Sequence, residues 1–293
     1  MSPRFGRVVT AMVTPFDDKG ALDLDGAATL AHWLVENGSD GLVLCGTTGE
    51  SPVLSDSEEV AFTKAVRNAV SVPVLLGTGS NDTSYAVGAT RRAVDLGVDG
   101  VLVVTPYYNR PPQSGLDAHF RSIAAATDLP VVLYDIPIRT GRKVATDLLR
   151  RLVIEVPNIV GVKDAAGDPA ESARLIAECP DDFELYSGDD ALTLPLLSVG
   201  AVGTISVASH WVGRQMGEMI TAFEKGDVIA ARRVNAGLLS SYAFESSEDA
   251  PNPIPTKAML RVLGLPVGQC RPPLGPGPEG LEDRARSVLE ALN

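Results

Sequence analysis

Short runs of β-branched and aliphatic residues recur along the chain, each followed by polar or glycine-rich residues. They occupy 8–13, 41–45, 72–76, 100–104, 130–134, 159–163, 183–186 and 203–207. A run that is apolar on both faces predicts a strand buried in a parallel sheet. Between the runs lie apolar stripes with helical spacing. One is Leu24, Ala27, Ala28, Ala31, Leu34, Val35. Others are Val60, Ala61, Ala65, Ala69; then Ala86, Ala89, Ala93, Val94; then Leu148, Leu149, Leu152, Val153. Gly or Pro follows several of them, as at Asn37-Gly38, Leu96-Gly97 and Cys179-Pro180, which marks helix ends. Eight β-then-α units predict a closed (β/α)8 barrel, an α/β fold. A doubly wound open sheet is the rival. It usually has fewer strands, and the stretch Gly77-Thr78-Gly79-Ser80-Asn81-Asp82 lacks the third glycine of a dinucleotide fingerprint.

Helical patterns at 212–225, 228–244, 254–263 and 279–293 continue past the eighth run. They predict a barrel over residues 1–226 and a C-terminal helical domain over 227–293, with the proline-rich stretch 271–278 as a stiff connector.

Charge and composition narrow the function. A net charge of −12 over 293 residues argues against nucleic acid or an anionic membrane as partner. Cys45, Cys179 and Cys270 are widely spaced, which predicts free thiols, no zinc site and a reducing cytoplasm. His32, His119 and His210 each stand alone and read as structural or surface residues. The N-terminus lacks the long apolar stretch of a signal peptide, and no run is long enough to span a membrane.

In such a barrel the chemistry gathers at the carboxyl ends of the strands. The sixth run, Ile159-Val160-Gly161-Val162-Lys163, ends on a lysine and is followed by Asp164. Burial favours the neutral amine, a nucleophile toward carbonyl carbon. The plainer alternative is a lysine that reaches solvent or pairs with Asp164. The other strand ends supply Thr47-Thr48, Tyr107-Tyr108, Tyr134 with Arg139 a few residues on, Gly188-Asp189-Asp190, and Ile205. With no histidine or carboxylate cluster among them, acid–base work falls to tyrosine. The threonines also suit caps of the following turn or helix. Tyr107 suits an interface aromatic, Asp189 an N-cap, and Asn252-Pro253-Ile254-Pro255 a turn before a helix.

The motifs GTTGES (46–51), TPYYNRP (105–111), LYDIPIRTG (133–141), VGVKDAAG (160–167), SGDDAL (187–192) and PNPIP (251–255) occur in an order that resembles the dihydrodipicolinate synthase family of pyruvate-dependent class I aldolases. The resemblance covers essentially the whole chain. It implies that Lys163 forms an imine with pyruvate, that Thr47 and Thr48 hold its carboxylate, and that Tyr134 relays protons. It implies that Thr47 links Tyr134 to Tyr108, which enters from a neighbouring subunit. It implies that Arg139 receives the carboxylate of aspartate semialdehyde, and that Gly188 and Ile205 line the pocket. It further implies no metal or organic cofactor, and a homotetramer built as a dimer of dimers. Ile138 stands where the family often has a small residue, which narrows the mouth beside Arg139. Lysine-inhibited members bind lysine beside Ser51, Asn81 and Tyr107. Asp56 and Tyr85 here replace a histidine and a glutamate of the sensitive bacterial ones, so weak feedback is expected. Two other functions share parts of this set: a lyase for a 2-keto-3-deoxy sugar acid, and a non-catalytic keto-acid-binding regulator. The latter has no use for a proton relay.

Overall fold

The computed structural model describes residues 3–292. Each apolar run forms a strand, and the eight close in chain order into a parallel barrel. The strands are β1 (Val8–Ala11), β2 (Gly41–Leu44), β3 (Val74–Gly77), β4 (Gly100–Val104), β5 (Val131–Asp135), β6 (Ile159–Asp164), β7 (Glu184–Ser187) and β8 (Gly203–Ser206). Nearly every strand residue is buried, which is why the runs show so little polar alternation.

The residues form two compact units. The first, chiefly Val74–Ile205, holds β3 to β7 and most of β8. Its helices are α3 (Thr83–Asp95), α4 (Gln113–Ala124), the single turn α5 (Pro137–Thr140), α6 (Thr146–Glu155), α7 (Pro169–Glu178) and α8 (Thr193–Leu197). Asp82 caps α3 by accepting from the N–H groups of Ser84 and Tyr85, and Asp168 caps α7 by accepting from Glu171. Helix α4 buries Leu116, His119, Phe120 and Ile123, a stripe with the same spacing as its neighbours.

Within this unit the β5–β6 ladder carries an irregularity that decides the site. Val131 pairs with Ile159, but Val132 pairs with Gly161, so Val160 is an extra residue on β6. Side chains alternate faces along a strand, so one extra residue resets the face of everything after it. The reset brings Lys163 opposite Tyr134 and Asp164 opposite Asp135. Gly161 is needed at this place, because a Cβ there would sit 2.3 Å from the Glu184 carbonyl oxygen.

The second unit holds Phe5–Pro73 and the chain from Ser206 onward. It contains β1, β2, α1 (Leu24–Glu36), α2 (Asp56–Ala69), α9 (Ser209–Glu224), α10 (Val228–Phe244), α11 (Ile254–Val262) and α12 (Leu281–Glu290). Helix α2 opens with a capping box made by Ser55 and Glu58. Helix α9 begins three residues before the apolar stripe at 212 and kinks at Val212, where φ is −125°. The earlier start is fixed by Ser206 Oγ, which accepts from Ser209 N–H at 2.9 Å. Trp211 donates its indole N–H to Ser241 Oγ at 3.0 Å, tying α9 to α10. Among the described residues no helix is long and apolar enough to cross a membrane.

The three cysteines are free, and burial pushes the thiols of Cys179 and Cys270 up to about 11 and about 12. His119 is buried with Nδ1 2.9 Å from Thr83 Oγ1, and burial lowers its pKa to about 4. His210 is fully buried and its Nε2 accepts from Val13 N–H. Both therefore serve the structure, and His32 lies exposed on α1.

Candidate active site

Strand β6 carries Lys163 into the protein, where the residue is only 5% exposed. Its Nζ lies 4.3 Å from the centre of the Tyr134 ring, itself 5% exposed. In its ammonium form such a group is attracted by the ring's quadrupole; as a neutral amine it is held there by shape. The alternative partner, Asp164, is taken up elsewhere. Its carboxylate accepts from Ser172 Oγ at 2.6 Å and from Ala166 N–H at 2.9 Å. Tyr134 is fixed through its backbone, because its carbonyl accepts from both the N–H and the hydroxyl of Thr105. Gly188 closes the other side of the lysine stem. A Cβ there would lie 3.0 Å from Lys163 Cγ and 3.1 Å from Cε.

Behind this pair sit two carboxylates on the opposite faces of the same strands. Asp135 is buried, and desolvation raises its pKa from 3.8 to about 6. The charge of Asp164 adds to that rise, while Lys143 at 3.3 Å and the N–H of Val144 oppose it.

Arg139 belongs to the one-turn α5 and is exposed, as is Ile138 at 90%. Tyr108 is 89% exposed and holds a left-handed backbone with φ +73°. Such a conformation is uncommon for a bulky residue and marks a constrained loop. Asn109 Nδ2 donates to the Asn81 carbonyl and Arg110 Nε to that of Gly141, which brace this loop. Ile205 is buried on β8. The structure thus sets Tyr134 and Gly188 each against Lys163 and leaves Tyr108 and Arg139 as outward-reaching side chains.

In the second unit the GTTGE loop follows β2. It turns sharply, with Cys45 and Glu50 both at positive φ. Thr47 is half-buried and Thr48 buried. Neither caps the elements that follow: those positions are Glu50 and Ser55. Asn252 opens the turn before α11, as expected, and it also makes two side-chain hydrogen bonds. Its Nδ2 donates to Thr48 Oγ1 at 2.9 Å, and its Oδ1 accepts from Thr256 Oγ1 at 3.2 Å. Asp189, as expected, caps a short 3-10 turn by accepting from Ala191 N–H.

Two charged residues that the motifs did not single out anchor the same loop. Glu50 pairs with Lys257 at 2.7 Å, and both side chains are 1% exposed. Lys257 also donates to the Gln269 carbonyl and lies 4.2 Å from the Phe16 ring centre. Arg271 covers that ring at the same distance and donates its N–H to Glu50. Arg271 also holds the Glu58 carboxyl down to about 2. The available signal was Lys257 itself, a cation set among apolar residues in the first half of α11.

A model of the dihydrodipicolinate synthetase family matches residues 4–292. A 4-hydroxy-tetrahydrodipicolinate synthase of Synechococcus sp. is 52% identical over 296 residues, covering 100% of this chain and 97% of the relative. One from Moorella thermoacetica is 49% identical over 273 residues, covering 92% of each. Among solved structures, a dihydrodipicolinate synthase of Bacillus anthracis superposes with a TM-score of 0.95 at 43% identity over 100% of both chains. One from Cyanidioschyzon merolae with lysine bound gives 0.95 at 45% identity, covering 99% of each chain.

Proposed function

The chain belongs to the dihydrodipicolinate synthetase family, and we propose from this that it acts as a 4-hydroxy-tetrahydrodipicolinate synthase. It is a lyase of the Schiff-base aldolase type, working in the lysine and diaminopimelate branch of amino-acid synthesis. Its substrates are pyruvate and L-aspartate 4-semialdehyde.

The neutral amine of Lys163 attacks C2 of pyruvate to form a carbinolamine, and water leaves to give the imine. Loss of a methyl proton yields the enamine. Its carbon attacks the aldehyde carbon of the semialdehyde, and the new alkoxide takes up a proton. The substrate's own amine then displaces Lys163 as the ring closes, with one water lost overall. Tyr134 carries protons through these steps, since its phenol stands beside the amine. Thr47 and Thr48 bind the pyruvate carboxylate through hydroxyl and backbone N–H groups. Thr47 connects Tyr134 to Tyr108, and Gly188 and Ile205 shape the pocket. Arg139 receives the semialdehyde carboxylate. This chemistry calls for no metal or organic cofactor.

Tyr108 supports an assembly in which that side chain enters a neighbouring copy, because a constrained backbone presents it 89% exposed. We place the chain in the cytoplasm as a homotetramer of paired dimers.

The observation that carries the proposal is the buried Lys163 amine 4.3 Å from the Tyr134 ring. Borohydride reduction with pyruvate, followed by peptide mass analysis, is expected to place the adduct on Lys163. Aspartate semialdehyde, rather than a sugar-acid aldehyde, should then consume the enamine. An adduct elsewhere, or none, defeats the proposal.

A further inference from the structure

Thr48 is 3% exposed and Asn252 is 8% exposed, and they meet at 2.9 Å. The amide nitrogen can only donate, so it occupies a lone pair of Thr48 Oγ1. The amide is held in that sense by Thr256, whose hydroxyl donates to Asn252 Oδ1. A threonine hydroxyl has one proton, and no acceptor among the described residues takes it from Thr48. A buried donor left in that state costs free energy unless a ligand accepts from it. The loop carrying Thr48 has little freedom to turn away, because Glu50 is locked to Lys257 and to Arg271 N–H.

We propose that Asn252 is a positioning residue: it commits the Thr48 hydroxyl to donate to the carboxylate of the keto acid. This rests on the synthase reading, which gives Thr48 that ligand. The C-terminal segment then takes part in substrate recognition without touching substrate. A hydroxyl free to rotate spends part of its time as an acceptor facing an anion. One already engaged as acceptor presents only its proton.

The test is steady-state kinetics on the full chain with pyruvate varied. Asn252→Asp keeps the shape but puts an acceptor where the donor was, so Thr48 turns its proton inward. KM for pyruvate should rise roughly 10–100-fold, as for a lost hydrogen bond to a charged group. kcat should stay within roughly threefold, and KM for the semialdehyde should not move. Thr48→Val should raise pyruvate KM alone, and adding Asn252→Asp or Asn252→Ala to it should raise it little further. If Asn252→Asp does not fold, Asn252→Ala with Thr48→Val completes the same cycle. Multiplicative effects in the double variant overturn the proposal. So does an unchanged pyruvate KM in a natively folded Asn252 variant. Pyruvate trapping on Lys163 of the unmodified chain separates the two ideas: without it the synthase reading fails, and with it only the role of Asn252 is at stake.

Discussion

Lys163 and Tyr134 are direct partners across the β5–β6 ladder, and the lysine Nζ lies 4.3 Å from the centre of the phenol ring. The backbone therefore sets their approach before any side-chain rotamer is chosen. The proposed nucleophile and proton carrier come from neighbouring strands of one sheet, the most rigid support the fold offers.

Removing the phenolic hydroxyl tests that partnership. Tyr134→Phe should lower turnover by roughly 10²–10⁴-fold, the usual worth of a positioned proton donor. Binding of pyruvate should suffer much less. A near-native rate would remove Tyr134 from the role.

Gly188→Ala crowds the lysine stem, where the added carbon would sit 3.0 Å from Lys163 Cγ. Displacing a reacting group by a fraction of an ångström costs turnover, here roughly tenfold or more. Thermal stability should fall modestly, because the added carbon also sits 3.0 Å from Ala165 Cβ, which moves only with its backbone. Equal activity in the two proteins would mean that the stem yields freely.

Asp135 supplies a pH signature. Its folded pKa is raised to about 6 from 3.8, so the folded state holds this proton more tightly. The resulting stabilisation is complete below the ordinary value and fades as pH rises through about 6. Relative to Asp135→Asn, the unmodified chain should lose thermal stability between pH 4 and about 6 and track the variant above that. Lys143 and Asp164 are the charges facing it. A difference in melting temperature that stays constant across this range would contradict the assignment.

The buried Glu50–Lys257 pair predicts a large stability effect. Lys257→Met removes the ion-pair partner of a carboxylate whose side chain is 1% exposed and leaves it the hydrogen bond from the Arg271 N–H. Breaking such a pair costs about 3–5 kcal/mol. The double variant Glu50→Gln with Lys257→Met should recover part of the loss in denaturant unfolding. A double variant no better than the single one would mean that packing, and not charge, is what Lys257 supplies.

Lysine should inhibit only weakly. The family resemblance implies a carboxylate at this position in lysine-sensitive members, and the residue here is Tyr85. Its ring lies 5.8 Å from the Arg92 guanidinium and offers lysine's amines no charge partner. Half-inhibition well below millimolar lysine in the coupled assay would overturn this.

The strands were legible because parallel strands buried on both faces leave unbroken apolar runs, and Lys163 was legible as the interruption of one. The C-terminal helices were legible for the same reason, with Ile254–Val262 close to its expected span. Two things were not. The extra Val160 is invisible in a β-branched run, where no residue type marks the unpaired position. The Thr48–Asn252 and Glu50–Lys257 contacts join segments far apart in sequence. Each partner alone resembles a cap, a turn residue or a surface charge, and only the folded chain shows that they meet.

Which side of β6 faces the reaction is a matter of parity. Pairing Val160 with Val132 in unbroken register would seat Lys163 across from Asp135, beside a carboxylate and away from Tyr134. A one-residue slip of β6 along β5 would thus part the amine from the phenol with every chemical group still present, so aldolase chemistry on this scaffold depends on register as much as on composition.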